Sequence, residues 1–104
     1  ESKFYYLTQR PNSQIQDTTF VSISKDEYLE KMRDRTTYSR SKINWKDNCK
    51  FDLIFEESDD PFKKEMFEKG QVFNYEIIAN ENDSFFLELE WKGKVYQSQM
   101  FKIK

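Results

Sequence analysis

The feature that most constrains the fold of this chain is an alternation of apolar and polar residues with a period of two. In the clearest run the apolar residues are Cys49, Phe51, Leu53 and Phe55. They alternate with Lys50, Asp52, Ile54 and Glu56. Successive side chains of a β-strand point to opposite faces, so such a run has an inner and an outer face. The pattern predicts half-buried strands.

Several other runs follow the same rule. Their expected inward residues are Ile43 and Trp45; Phe73, Tyr75, Ile77 and Ala79; and Phe85, Leu87, Leu89 and Trp91. The last run is mixed, and in it Val95, Phe101 and Ile103 share one parity. Breaks are expected at Arg10–Gln14 and Asn80–Ser84, and Lys92-Gly93 is typical of a tight hairpin turn. Counting the runs gives about seven or eight strands.

One short helix is predicted near residues 60–69. Asp60 is a suitable N-cap, Pro61 fits the first helical position and Gly70 stands just past the end. On this helix Phe62, Met66 and Phe67 share a face. We expect that face to turn inward, so that the helix covers one end of the sheet as a lid.

The segment 25–34 is ambiguous from its residues. Ser24 followed by Glu27 forms a capping box, which indicates a helix. As a strand, the same segment would place Tyr28, Glu30 and Met32 on one face. The local signals favour a helix, whereas the strand pattern on both sides favours a hairpin.

The size and composition fit one domain spanning residues 1–104. Apolar content is low at 37%, but 17% of the residues are aromatic. Each aromatic side chain buries a large area, so a few strands can supply a compact core. A long meander of strands must close or double over to protect its edges. The sequence therefore predicts an antiparallel up-and-down meander that closes into a small barrel.

Composition also excludes several functions. The chain contains no histidine, which removes histidine-dependent triads and histidine-ligated zinc. Its single cysteine cannot form an intramolecular disulfide. The net charge is −2 with both signs interspersed, so no nucleic-acid partner is expected. No run approaches the roughly 20 apolar residues that span a bilayer.

No catalytic, cofactor or metal site is predicted. We expect Cys49 to be buried and inert, because free cysteine is among the most buried residue types. The acidic run Glu56–Asp60 is interpreted as a solvated loop in which Asp60 caps the helix. A hydrolase built on carboxylates alone is the weakest alternative, because Glu76, Glu88 and Glu90 all fall on the polar parity.

The inward aromatic residues are the candidate ligand-binding site. They could line a cavity for one small hydrophobic ligand, or they could fill the interior themselves. A filled interior is favoured, since eight strands leave room barely wider than the side chains. The candidate barrel-lining residues are Phe51, Phe55, Phe73, Tyr75, Phe85 and Trp91.

From "SKINWKDNCKFDLIFEESDDPFKKEMFEKGQVFNYEII" onward, the order of features resembles a group of small bacterial proteins of the Bacteroidetes type, whose function is unknown. The matching features are Trp45, Asp47, Cys49, Phe51, Asp60-Pro61, Gly70 and the strand from Val72 to Ala79. The resemblance implies a strand at 25–34 and an exported or lipid-anchored protein. Some members carry an automatic topoisomerase label, which nothing in these residues supports. The group offers no functional residues to carry over.

These observations lead to two functional hypotheses. The first is a non-enzymatic, extracytoplasmic binding domain with a lipocalin-like barrel, placed in the periplasm or on an outer-membrane lipoprotein. Because the sequence begins at Glu1, we expect any signal peptide or membrane anchor to lie ahead of it. The alternative is an interaction or inhibitor module that contacts an envelope protein through Phe86, Tyr96 and the Glu56–Asp60 loop.

Overall fold

A computed structural model describes residues 2–9, 13–32 and 35–103, apart from the side chain of Gln9. In this part of the chain eight antiparallel strands follow one another around a closed barrel, and one short helix interrupts them. The prediction of an all-β barrel is confirmed, and a lipocalin-like arrangement is consistent with it. The elements are β1 (Ser2–Gln9), β2 (Gln16–Ser24), β3 (Glu27–Met32), β4 (Thr37–Trp45), β5 (Lys50–Ser58), α1 (Pro61–Met66), β6 (Val72–Glu81), β7 (Ser84–Trp91) and β8 (Lys94–Lys102).

Tight turns close the hairpins and explain the up-and-down order. Lys92 and Gly93 join β7 to β8 with φ values of +51° and +77°. Two successive positive φ values match the right-handed twist of the strands that flank a two-residue turn. The predicted hairpin at this position is confirmed. Of the predicted break at Arg10–Gln14, residues 10–12 lie outside the described residues.

Within the ambiguous segment 25–34, Glu27–Met32 form a strand, and residues 33–34 lie outside the described residues. β3 pairs with β2 and β4 on its two sides, which places Tyr28 opposite Ile23 and Ser41. Tyr28 and Glu30 are both buried. Two full ladders of hydrogen bonds, together with burial of Tyr28, outweigh the local capping signal, because tertiary contacts routinely override helix propensity.

The inward face of the strands forms the core, and alternation predicts most of it. Phe51, Leu53 and Phe55 of β5 are all buried, as their parity requires. Leu87 of β7 is buried as well. Among the described residues, the buried apolar set is Phe4, Val21, Tyr28, Ile43, Phe51, Leu53, Phe55, Phe73, Leu87 and Met100.

The parity prediction is wrong at one place in β6. Ala79 is exposed, because the register between β6 and β7 shifts between Ile77 and Ala79, and an extra residue reverses which side chains point inward. In β8, where the mixed run left the inner face open, Val95 is 56% exposed. Pairing with β7 sets the inner face of β8, since Phe85, Leu87 and Leu89 lie opposite Met100, Ser98 and Tyr96.

The prediction of a buried Cys49 is wrong. Cys49 is exposed and lies in the bend 46–49, just before β5 begins at Lys50. Its backbone N–H donates a hydrogen bond to Asp47 Oδ1 at 2.7 Å, which is typical of an Asx turn. Trp45, expected to share the inner face with Ile43, is 47% exposed at the rim of the barrel.

The predicted helix forms, but its apolar face does not act as a lid. The side chain of Asp60 caps α1 by accepting a hydrogen bond from the Lys63 backbone N–H at 3.1 Å. Phe62 and Met66 are 56% and 43% exposed. Phe67 alone turns inward, because the helix ends at Met66 and Phe67 adopts an extended conformation.

The interpretation of Glu56–Asp60 as a solvated loop is wrong, because Glu56–Ser58 belong to β5 and the two residues that follow are held by hydrogen bonds. Ser58 and Asp60 are buried. The backbone N–H of Tyr38 donates to Asp59 Oδ1 at 2.7 Å, and Ser58 Oγ donates to the Tyr38 carbonyl oxygen. The loop therefore anchors the start of α1 to β4. Within the described ranges, no helix is long and apolar enough to cross a membrane.

Candidate functional site

A cavity of about 360 Å³ occupies the end of the barrel next to α1. Most of the strands contribute inward side chains to its wall, and α1 and the segment after it contribute Lys63 and Phe67. Most of the aromatic and aliphatic side chains of the wall come from β5, β6, β7 and β8. They include Leu53, Phe55, Phe73, Tyr75, Leu87, Leu89, Trp91, Tyr96 and Met100.

Within the apolar part of the wall, four aromatic rings pack together. We name them the aromatic cluster: Phe55, Phe67, Phe73 and Trp91. The ring centroid of Phe67 lies 5.0 Å from that of Phe73 and 5.7 Å from those of Phe55 and Trp91. All three contacts are edge-to-face, the geometry that aromatic pairs prefer. The cluster fixes Phe67, and with it the chain that follows α1, against the mouth of the cavity.

The polar part of the wall includes the buried carboxylate of Glu30. Glu30 points inward because it has the same parity as Tyr28 on β3, and its side chain is only 11% exposed. The Tyr6 hydroxyl donates a hydrogen bond to Glu30 Oε2. Lys63 Nζ lies 3.4 Å from Glu30 Oε1. A buried carboxylate needs such partners, since an unpaired charge in the interior is very costly.

Three tyrosines surround this carboxylate. Burial raises the pKa of Tyr6 well above its ordinary value, and the charge of Glu30 and the hydrogen bond to it raise it further. Burial is also the main cause of the raised pKa of Tyr28 and Tyr75, with the Glu30 charge second. All three hydroxyls therefore stay protonated at neutral pH, and the Tyr6 hydroxyl already uses its proton in the hydrogen bond to Glu30.

Most of the cavity wall that lies on β8 is exposed to solvent. Among the described residues, β1 and β8 pair only through Phe4 and Tyr5 of the first strand and through Phe101 and Lys102 of the second. Further along β8, Tyr96, Gln97 and Ser98 border the cavity and are exposed.

A second cavity of about 180 Å³ lies at the opposite end of the barrel. Tyr28 and Met100 border both cavities and separate them. The smaller cavity is apolar, with Phe51 stacked on Tyr75 at a centroid distance of 5.1 Å and Phe4 edge-to-face with Phe85 at 5.2 Å. The barrel is therefore neither completely filled nor one continuous tube.

The six predicted barrel-lining residues all face the interior, but they do not form one site. Phe55, Phe73, Tyr75 and Trp91 line the larger cavity. Phe51 and Phe85 line the smaller one. Whether any of them binds a ligand stays a prediction.

Sequence reasoning missed the polar residues of the larger cavity. Tyr6, Glu30 and Lys63 were not recognised as site residues. The signal for Glu30 was present, since a charged residue shared a predicted strand face with Tyr28 and Met32. Lys63 gave no signal, because only the path of the chain after β5 brings it to the cavity.

The residues proposed for an interaction surface and for a carboxylate-based hydrolase lie mainly on the outside of the barrel. Tyr96 is exposed, but Phe86 is half-buried, so the expectation of an exposed Phe86 is wrong. Glu76, Glu88 and Glu90 border a groove on the outer face, as their parity predicts. Within the described residues, no group of three or more Cys, Asp or Glu side chains could hold a metal ion.

The comparisons with known proteins add no further constraint. No family model matches the chain, and neither the curated proteins nor the solved structures contain a match. The resemblance to the bacterial group stays a prediction. The geometry of the cavity is therefore the basis for any statement about function.

Proposed function

We propose that this protein is a non-enzymatic binding domain that holds one small, mostly apolar ligand in the larger cavity. The observation that carries the proposal is the cavity itself, whose volume of about 360 Å³ lies within the usual range for ligand sites. Its wall combines the aromatic cluster with a few convergent polar groups, which is the composition that small-molecule sites share. The proposed extracytoplasmic setting has its support in the resemblance alone.

The proposal is tested by binding of an uncharged naphthylamine dye to the purified chain. Trp91 lines the larger cavity, whereas Trp45 does not. A Trp45→Phe variant therefore leaves one tryptophan whose emission reports on this site. We expect saturable dye binding at a one-to-one ratio, with energy transfer from Trp91 to the dye.

A matched pair of variants locates the binding. Ser41 is buried in the cavity wall, so Ser41→Phe places a ring in the space that a ligand would use. Lys42→Phe adds the same ring to the next residue of β4, which is exposed. We expect Ser41→Phe to lose dye binding and Lys42→Phe to keep it. Circular dichroism should show that both variants are folded. Equal binding by both variants would contradict the proposal.

A further inference from the structure

The two charges at the larger cavity differ in how firmly they are held. Glu30 lies on a strand with partners on both sides, and Tyr6 donates a hydrogen bond to its carboxylate. Lys63 reaches the carboxylate from the short surface helix α1 on a long flexible stem. Such a stem can move its ammonium into water when another cation takes its place beside Glu30. The carboxylate is thus a fixed feature of the cavity, and the ammonium is the movable one.

The aromatic cluster presents ring faces to cations next to this carboxylate. Lys63 Nζ lies 5.5 Å from the centroid of the Phe67 ring, within the range of a cation–π contact. The same ammonium is 3.4 Å from Glu30 Oε1. The place that Lys63 Nζ occupies is therefore built for a positive charge, with a carboxylate on one side and a ring face on the other.

An anionic ligand would fit this place poorly. A carboxylate that paired with Lys63 would also approach the carboxylate of Glu30, and like charges repel strongly where little water separates them. It would also meet the negative faces of the aromatic rings. A ligand cation has neither disadvantage, because it replaces one ammonium by another and releases Lys63 to solvent.

We infer that the cavity takes an organic ammonium compound with an apolar body, and that Lys63 occupies the ammonium position in the free protein. This inference rests on the proposed function, since it assigns the ligand class of the same cavity. The apolar body of the ligand lies against the aromatic cluster, and its ammonium lies against Glu30. Lys63 then acts as a tethered competitor that lowers the affinity for any such ligand.

The inference is tested with three probes of nearly the same shape. Benzyltrimethylammonium carries the positive charge, neopentylbenzene is its uncharged isostere, and phenylpropanoate carries a negative charge. Each probe displaces the naphthylamine dye, and its dissociation constant is read from the loss of energy transfer. We expect the cation to bind about tenfold more tightly than the neutral probe, and the anion to bind most weakly.

Variants of the two charged residues separate their roles. Glu30→Gln removes the charge but keeps the shape, so we expect the preference for the cation over the neutral probe to disappear. Lys63→Met removes the tethered competitor, so we expect the affinity for the cation to rise about tenfold. Lys64→Met is the matched control, because Lys64 is the next residue of α1 and is exposed. We expect no change in that variant.

The outcomes distinguish the two proposals. Failure of all three probes and of the dye to bind would overturn the proposed function itself. Binding of the neutral probe with equal or weaker binding of the cation would overturn the ammonium inference and leave the proposed function standing. Unchanged cation affinity in Lys63→Met, with Glu30→Gln also unchanged, would likewise overturn it.

Discussion

The tyrosines inside the barrel should make the protein unusually sensitive to alkali. Tyr6, Tyr28 and Tyr75 all have a pKa above their ordinary value of 10.0, mainly because burial disfavours the charged phenolate. A raised pKa in the folded state means that folding favours the protonated form. The corresponding stability is fully present below pH 10 and is lost progressively as the pH rises from 10 towards the folded-state pKa.

The free energy of unfolding should fall with rising pH. Its slope depends on how many tyrosines stay protonated in the folded state while they ionise in the unfolded state. Each such group lowers the free energy of unfolding by about 1.4 kcal/mol per pH unit above 10. Tyr28 is 4% exposed, whereas Tyr6 and Tyr75 are half-buried in the cavity wall. The slope should therefore lie between two limits. It is about 1.4 kcal/mol per pH unit if Tyr28 alone contributes, and about 4 kcal/mol per pH unit if all three tyrosines contribute.

Urea unfolding at several pH values from about 9 to 11.5 measures this slope directly. Near-ultraviolet absorbance should show tyrosinate appearing together with loss of the barrel signal in circular dichroism. Tyr28→Phe should reduce the slope by about 1.4 kcal/mol per unit, and replacing all three tyrosines by Phe should remove most of it. A triple variant with the wild-type slope would refute this reasoning.

Three further predictions concern single positions. Met100→Ala should lower the free energy of unfolding by about 2–5 kcal/mol in urea melts, because Met100 is 2% exposed and separates the two cavities; a cost below 1 kcal/mol would contradict its place in the core. Gly93→Ala should cost about 1 kcal/mol in the same assay, since φ there is +77° while the added Cβ meets nothing within 4 Å. Cys49 should react with a thiol reagent in the folded protein nearly as fast as in urea, because it is exposed; strong native protection would place it inside after all.

The fold was largely predictable because alternation is a local signal. A strand with one buried face has to repeat apolar residues at every second position, and the runs ending at Phe55 and Trp91 do so without interruption. The turn at Lys92 and Gly93 is equally local, since it depends on backbone angles that glycine adopts easily. The N-cap at Asp60 belongs to the same class. These features need no knowledge of distant residues.

The errors fall where a distant partner decides the outcome. The inner face of β8 depends on its register with β7, and a bulge beside Ile77 reverses the parity of Ala79. Cys49 continues the alternation of apolar residues in β5, but β5 begins one residue later, at Lys50. Cys49 therefore lies in the turn before the strand and is exposed. An alternating pattern cannot show where a strand ends or which strand it meets.

The sequence by itself determined that this chain forms an antiparallel barrel of short strands with an aromatic interior, because period-two patterning and turn residues act over a few positions. Only the tertiary structure decided that the interior holds two cavities, and that Tyr6, Glu30 and Lys63 meet at the wall of the larger one. These three residues come from β1, β3 and α1. The closure of the barrel brings them together, and no local pattern encodes a contact between residues so far apart along the chain.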